Sequence, residues 1–211
     1  MADFDLKSDE EKAEELKAWW KTNGIFVIAG LSLAVAGMFA YKQWEQHKLD
    51  QSEGASKLFS QLNKADSKNT SEAYKALTDD YSNTAYASLA ALAAAKDSCE
   101  KNNTKQCIEQ LRTAANSSQE SLSNVAKIRL AKVLISTGKL DEAQQIIAQK
   151  MPLSFASIIT ELEGDIHFAK KDFEKARAAY DKAILSSGGQ NTQLLKLKRD
   201  DLGDQLKNSS S

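Results

Sequence analysis

Two segments with the same helix–turn–helix layout decide the fold: KIRLAKVLISTGKLDEAQQII, at Lys127–Ile147, and ELEGDIHFAKKDFEKARAAYDKAI, at Glu161–Ile184. In both segments, apolar and small residues recur every three or four positions, which is the period of one face of an α-helix. Gly138 interrupts the first pattern and a lysine interrupts the second, and apolar residues resume shortly afterwards. The two segments therefore predict two consecutive hairpins of antiparallel helices.

Small residues stand at the same place in the first helix of each predicted hairpin. They are Ala131 and Gly164, and a small side chain there lets the paired helices approach closely. The pattern also predicts which residues pack between the paired helices. These are Leu130, Ala131, Leu134, Leu140, Ala143 and Ile147 in the first hairpin, and Leu162, Gly164, Phe168, Phe173, Ala176, Tyr180 and Ala183 in the second.

Ala143 and Ala176 stand near the start of the two second helices, and the same place in the pattern can be traced in earlier parts of the sequence. Cys107 in TKQCIEQL and Ala73 in TSEAYKAL fill the same place, which gives spacings of 34, 36 and 33 residues. This pattern resembles the tetratricopeptide repeat, and the resemblance implies four degenerate units within residues 43–187. The large aromatic residue that usually opens the first helix is missing from every unit, and the first two units match least well.

We therefore predict an all-α fold in which residues 43–207 form a tetratricopeptide-like solenoid. Within it, residues 191–207 are expected to form a helix that caps the last repeat, and residues 208–211 to form a frayed tail. The composition agrees, because one proline, Pro152, and nine glycines in 211 residues leave few helix breakers. No run alternates apolar and polar residues at period two outside the hydrophobic segment, so no sheet is expected.

A stretch of twenty residues without charge, from Thr22 to Tyr41, predicts a single membrane-spanning helix. At 1.5 Å per residue it would span roughly 30 Å, the thickness of the hydrocarbon core of a bilayer. Trp19 and Trp20 precede it and Trp44 follows it, so aromatic rings flank both ends. The predicted segments are an N-terminal tail, residues 1–21, and a transmembrane helix, residues 22–42.

Two alternatives to a permanent membrane helix are a buried core helix and a cleaved signal peptide. A core helix rarely needs twenty uncharged residues, and the acidic residues before the stretch are unlike the basic start of a signal peptide. Orientation stays open on charge alone, because four lysines precede the stretch and three follow it. A short tail, one uncleaved span and a long C-terminal domain are typical of an exported domain on a signal anchor.

The order of these parts resembles the ancillary subunit of the bacterial SecYEG protein-conducting channel. An acidic tail with a Trp pair, a Gly/Ala-rich span and a short repeat solenoid follow one another. The best-matching stretches are YASLAALAAAK, IRLAKVLISTGKLDEA and ASIITELEGDIHFAKKDFEKARAAYDKAI. The resemblance implies a bacterial inner-membrane protein with a cytoplasmic N-terminus and a periplasmic repeat domain. Its implied partners are the SecYEG channel subunits and periplasmic chaperones.

Two other functions stay open at this stage. The chain could be an anchored repeat scaffold for envelope assembly or cell division, or a regulator that acts through its acidic cytosolic tail. A nucleic-acid partner is not expected, since the formal net charge is −1 and the acids and bases are interleaved.

No residue pattern indicates an enzyme. His47 and His167 are the only histidines, and neither has a second ligand at a spacing typical of a metal site. Phosphate-binding loops, nucleophile elbows and zinc-protease motifs are missing from the sequence. We therefore expect no catalytic residue, metal, cofactor or small-molecule substrate.

Two candidate sites come from local spacing. Cys99 and Cys107 flank the turn EKNNTKQ, so a disulfide could join two antiparallel helices; alternatively, Cys107 is only a small core residue. Gly30, Ala34 and Gly37 lie on one face of the span, where small residues permit close packing against another membrane helix. Small residues are also simply common in membrane helices.

The third candidate site is an apolar groove on the first helices of successive repeats. Its residues lie on a different side from those that grip the second helices. They are Leu89, Leu92, Val125, Ile128, Ile135, Ile158 and Phe168. The alternative, which we favour for most of them, is packing against the neighbouring repeat, since monomers seldom expose large apolar patches.

Overall fold

The computed structural model of the protein describes residues 8–62, 67–189 and 192–209. These residues contain nine α-helices, one short 3-10 helix and no β-strand, which confirms the all-α prediction. The α-helices are α1 Asp9–Leu62, α2 Ser67–Asp79, α3 Ala85–Glu100, α4 Thr104–Ala115, α5 Glu120–Ser136, α6 Leu140–Ile147, α7 Ala156–Ala169, α8 Phe173–Ser186 and α9 Thr192–Ser209. The 3-10 helix, Leu153–Phe155, precedes α7. The chain divides into two units, Met1–Asp50 and Gln51–Ser211.

Helix α1 begins well before the predicted span. The Ser8 backbone N–H donates to Glu11 Oε2 at 3.1 Å, and the Glu11 N–H donates to Ser8 Oγ at 3.3 Å. This reciprocal pair is a capping box, which satisfies N–H groups that the first helical turn leaves without partners. Asp9, Glu10 and Glu11 in that turn also complement the positive end of the helix dipole. Residues 9–21, the larger part of the predicted tail, are therefore helical.

The central part of α1 is long and apolar enough to cross a membrane, and only 6% of its most apolar 18-residue window is buried. Polar groups at its start bond back to the helix: Thr22 Oγ1 donates to the Ala18 carbonyl at 3.2 Å and Asn23 Nδ2 to the Trp19 carbonyl at 3.1 Å. Internal partners of this kind are what a polar side chain needs in lipid. At the other end, the Lys48 ammonium lies 4.4 Å from the centroid of the Trp44 ring.

In the second unit, α3 packs on α4, α5 on α6 and α7 on α8 as antiparallel hairpins, with α2 against α3 and α9 against α8. The small residues that mark the repeats are buried in the helices that follow each first helix. Cys107, Ala143 and Ala176 are each the fourth residue of their helices and each 0% exposed, and Ala73 is buried in α2. The predicted periodicity therefore corresponds to real hairpins.

The three hairpin turns have the same hydrogen bonds. In the α5–α6 turn, the Thr137, Gly138 and Lys139 N–H groups donate to carbonyls four, three and five residues earlier, at 2.8–3.1 Å. The α3–α4 and α7–α8 turns repeat this set at the corresponding residues. The middle residue of each turn is left-handed, with φ of 58° at Asn102, 74° at Gly138 and 61° at Lys171. These hydrogen bonds satisfy the last carbonyl groups of the first helix and hold the tight turn that leads into the second helix.

Helices α7 and α8 approach closely at Gly164. A Cβ atom at this position would lie 2.4 Å from Cε1 of Tyr180, so only glycine fits. Leu162 is fully buried, whereas Phe168 is only partly covered and contacts Phe173 with ring centroids 5.9 Å apart. The main core runs from α3 to α7, and Ile166 contributes to it.

Both ends of the second unit are closed by further helices. Leu195 and Leu202 of α9 pack against Ala176, Tyr180 and Ala183 of α8, in the place where a following repeat would stack. At the other end, Ala55 of α1 packs against Leu77 and Ala90, and a Cβ atom at Gly54 would lie 2.7 Å from the Tyr81 hydroxyl oxygen.

Candidate interaction surfaces

The seven residues of the predicted groove divide into two sets. Leu92 and Ile128 are buried in the main core, so neighbouring helices cover them and they cannot line an open surface. The others keep exposed area to different degrees. Leu89 and Phe168 are exposed, and Val125, Ile135 and Ile158 are half-buried. Packing between repeats thus takes up part of the predicted surface, and Leu89 of α3 and Phe168 of α7 stay exposed.

A groove of about 300 Å³ lies between α5 and α7, and we call it the small groove. Ile135 and Phe168 line it, so two of the predicted residues meet there. Its other lining residues are Lys132, Ser136, Asp165 and Ala169. This space is enough for a large apolar side chain.

A second groove of about 1130 Å³, which we call the large groove, lies between α5, the start of α7 and the start of α9. Among its lining residues is Ile158, a third member of the predicted set. The remainder are Lys132, Leu153, Ser154, Phe155, Ser157, Glu161, Ser186, Ser187, Gly189, Thr192, Gln193, Leu194 and Leu195. The volume suits several residues of a bound polypeptide rather than one side chain.

A polar cluster beside the grooves joins α9 to α7. The Lys198 ammonium donates to Glu161 Oε1 at 2.8 Å and to both Asp165 oxygens at 2.7 and 2.9 Å. The Tyr180 hydroxyl donates to Asp165 Oδ1 at 2.8 Å. Charge-assisted bonds of this length are the strong class of protein hydrogen bonds. The cluster therefore fixes α9 against the last hairpin.

Burial and charge shift the pKa of two members of this cluster. Burial by itself would lower the pKa of Lys198, but its hydrogen bonds to Asp165 and Glu161 outweigh burial and raise the pKa above its ordinary value. Burial, followed by the charge of Asp165, raises the pKa of the Tyr180 hydroxyl. Lys198 is thus held charged and Tyr180 neutral, as their hydrogen bonds require.

Sequence reasoning did not single out Lys198 or this cluster. A usable signal was present, since Lys198 follows Leu195 by three positions and precedes Leu202 by four. Residues at these spacings share one helix face, and both leucines are buried. A lysine that shares a helix face with two leucines is a candidate for pairing with a carboxylate of the helix that this face covers.

Cys99 at the end of α3 and Cys107 at the start of α4 lie next to each other across the first complete hairpin turn. Their Cα atoms are 5.2 Å apart, and their sulfur atoms form a disulfide in the structure. This Cα separation is within the range that a disulfide spans without movement of the backbone.

Gly30, Ala34 and Gly37 lie on one exposed face of α1. A Cβ atom at Gly30 or Gly37 would meet nothing within 4 Å, so this face is open to another helix. By contrast, Gly24 lies under the Trp20 ring, and a Cβ atom there would lie 3.1 Å from Cε2 of that ring.

No group of three metal-ligating side chains occurs in residues 8–62, 67–189 and 192–209. His167 Nδ1 lies 4.0 Å from an Asp172 carboxylate oxygen, and this contact pairs one histidine with one acid at the α7–α8 turn. It offers neither a metal-ligand set nor a nucleophile.

Comparison with known proteins identifies the family. Residues 17–204 match the family described as a tetratricopeptide repeat-like domain. The ancillary SecYEG translocon subunit of Haemophilus influenzae is 32% identical over 199 residues, which cover 92% of this chain and 97% of that protein. The chain belongs to the ancillary SecYEG translocon subunit family.

Two further members of that family show the same end-to-end similarity. The subunit of Aggregatibacter actinomycetemcomitans is 30% identical over 198 residues, with 92% of this chain and 97% of that protein covered. The Escherichia coli subunit is 26% identical over 187 residues, with 85% and 89% covered. No solved structure matches the chain.

Proposed function

We propose that this protein is a non-catalytic accessory subunit of the bacterial Sec protein-export channel. The observation that carries the proposal is similarity along nearly the whole chain to proteins named ancillary SecYEG translocon subunits. In this proposal α1 crosses the inner membrane, the N-terminus is cytoplasmic, and the repeat domain is a periplasmic scaffold. The scaffold binds periplasmic chaperones or emerging chains beside the channel.

Co-purification tests the proposal directly. The full-length protein, tagged and extracted in mild detergent, is expected to recover the channel subunits. Recovery of envelope-assembly, cell-division or signalling proteins in their place would overturn it and favour one of the other two functions. Chaperones recovered only from cells with an intact repeat domain would support the scaffold role.

The proposed orientation predicts where each end of the chain lies. A reporter that is active only in the periplasm, fused after Ser211, is expected to be active, and a reporter that needs the cytosol is expected to be silent. The reverse pattern would place the repeats in the cytosol and contradict the periplasmic scaffold.

The open face of Gly30, Ala34 and Gly37 supports a second part of the proposal, that α1 packs against a membrane helix of the channel. Association in lipid depends on close packing, because burial of apolar surface gives little drive there. Changing Gly30 and Gly37 together to Leu is expected to preserve insertion and to lose most of the co-purifying channel.

The matched control for this variant is Ala29→Leu with Ala36→Leu, which adds side chains at similar depths about 100° round the helix. The control is expected to retain the channel. If the Gly30/Gly37 variant also retains it, α1 is only an anchor and recognition lies in the repeats.

A further inference from the structure

The small and large grooves lie along one face of α7. Ile158 and Glu161 line the large groove, and Asp165 and Phe168 line the small one. These positions are separated by three, four and three residues, so they form one stripe on the helix. Lys132 of α5 lines both grooves. The two grooves therefore adjoin at Lys132 and can be occupied by one continuous segment.

The charge accessible at this junction is positive. Glu161 and Asp165 have side chains only 16% and 21% exposed, and both accept hydrogen bonds from Lys198. The Lys132 side chain is exposed, and no carboxylate of the described residues lies within 4.0 Å of its ammonium. The charges of Lys132 and Lys198 together balance those of the two carboxylates. Of these four groups, Lys132 is the one that a ligand reaches most easily, so the junction is expected to select a negatively charged ligand.

Large apolar side chains stand on both sides of Lys132. Phe168 and Ile135 form the small groove, and Leu153 and Leu194 stand at the large groove with 92% and 60% of their area exposed. Exposed apolar side chains gathered around a groove mark an interaction site more often than isolated ones do. An occupant that matches this surface has apolar groups on both sides of a negative charge.

We propose that the two grooves form one docking site for a segment of another polypeptide in which an Asp or Glu is flanked by large apolar side chains, with its carboxylate paired to Lys132. One apolar side chain enters the small groove, and those on the other side of the acid lie along Leu153 and Leu194. This inference rests on the proposed scaffold role and names the chemistry of the segment that the scaffold binds.

The test uses three synthetic peptides and the full-length protein in detergent. The first peptide is fluorescein-Ser-Leu-Phe-Ser-Asp-Leu-Leu-Ser-amide, and the other two carry Asn or Lys in place of Asp. Fluorescence anisotropy is measured with the wild type, with Lys132→Glu and with Lys150→Glu. Lys150 is exposed and lines neither groove, so its variant is the matched charge reversal.

The wild type and Lys150→Glu are expected to prefer the Asp peptide to the Lys peptide by about tenfold, and Lys132→Glu to reverse that order. This size fits one partly screened ion pair exchanged for a repulsive one. The preference is expected to shrink in 1 M salt, where the Debye length is about 3 Å. Leu194→Ser is expected to weaken all three peptides, because it removes an apolar contact and leaves the charge in place.

Equal binding of the three peptides by the wild type would overturn the proposal, and so would a Lys132→Glu variant that behaves like Lys150→Glu. Self-association that the Asp peptide does not disrupt and that Leu194→Ser abolishes would make a second copy the occupant and also overturn it. Channel co-purification by Lys132→Glu separates the two claims. If the channel is recovered while the peptides fail, the docking site is wrong and the accessory role stands.

Discussion

Replacement of Gly164 by alanine tests the close approach of α7 and α8. The added Cβ would lie 2.4, 2.6 and 3.1 Å from Cε1, Cδ1 and Cζ of Tyr180, whereas carbon atoms in contact prefer about 3.5–4.0 Å. The ring cannot move away freely, because it is buried and its hydroxyl donates to Asp165 at 2.8 Å. Overpacking of this kind costs about 1–3 kcal/mol, and alanine returns up to about 1 kcal/mol of helix propensity.

We therefore expect Gly164→Ala to lower the free energy of unfolding by about 1–2 kcal/mol. For a domain of this size the loss corresponds to roughly 2–8 °C in Tm. The assay is thermal unfolding of the full-length protein in detergent, followed by circular dichroism, for a double-mutant cycle with Tyr180→Leu. In the Tyr180→Leu background the ring is absent, so Gly164→Ala should raise Tm.

Two outcomes of the double-mutant cycle would contradict this reasoning. If Gly164→Ala lowers Tm equally in both backgrounds, the Tyr180 ring is not what excludes a Cβ at position 164. If Gly164→Ala raises Tm in the wild-type background, the two helices are not in close contact at this position. A coupling energy of about 1.5–3 kcal/mol is expected between the two sites, since they are in direct contact.

Three other predictions concern the turns, the cysteines and the α9 cluster. Lys171→Gly should raise Tm by about 2–4 °C, because glycine tolerates the φ of 61° there, whereas the neighbouring Lys170→Gly, with φ of −80°, should lower it. In protein isolated with free thiols trapped, Cys99 and Cys107 should be joined, and reductant should then lower the free energy of unfolding by about 2–3 kcal/mol in the wild type but not in Cys99→Ser/Cys107→Ala. Two alkylated cysteines in the mass spectrum would contradict the bridge. Because the pKa of Lys198 is raised in the folded state, its contribution is complete below the unfolded pKa of about 10.4 and is lost as pH rises through the folded pKa. The drop in Tm between pH 8 and pH 11 should therefore be smaller in Lys198→Met, and an unchanged drop would show that Lys198 does not contribute.

The hairpins could be predicted from the sequence because their determinants are local. The left-handed turn residue, the buried small residue four positions into the next helix, and the apolar face all lie within one repeat. Gly164 illustrates this, since its position in the pattern predicted the close contact with α8 that the structure has. The capping box of Ser8 and Glu11 also has a local sequence signal, which is a Ser followed three positions later by Glu.

The open surface could not be predicted in the same way, because it depends on gaps between helices that are far apart in sequence. Leu92 and Ile135 both lie on first helices, yet one is buried and the other lines the small groove. The difference comes from how α5 packs against α3 and α7 and not from either local pattern. Lys198 was missed for a related reason, since its two carboxylate partners are 33 and 37 residues away.

The shared geometry of the three hairpin turns affects how this family can diverge. In each turn, three N–H donors and three carbonyl acceptors within seven consecutive residues form the reversal, so the path of the chain there does not depend on the neighbouring hairpins. Asn, Gly and Lys all occupy the left-handed position. Substitutions can therefore accumulate on the outer faces of the helices without redirecting the chain. We therefore expect the substitutions in relatives that are 24–32% identical over 85–92% of this chain to concentrate on those outer faces.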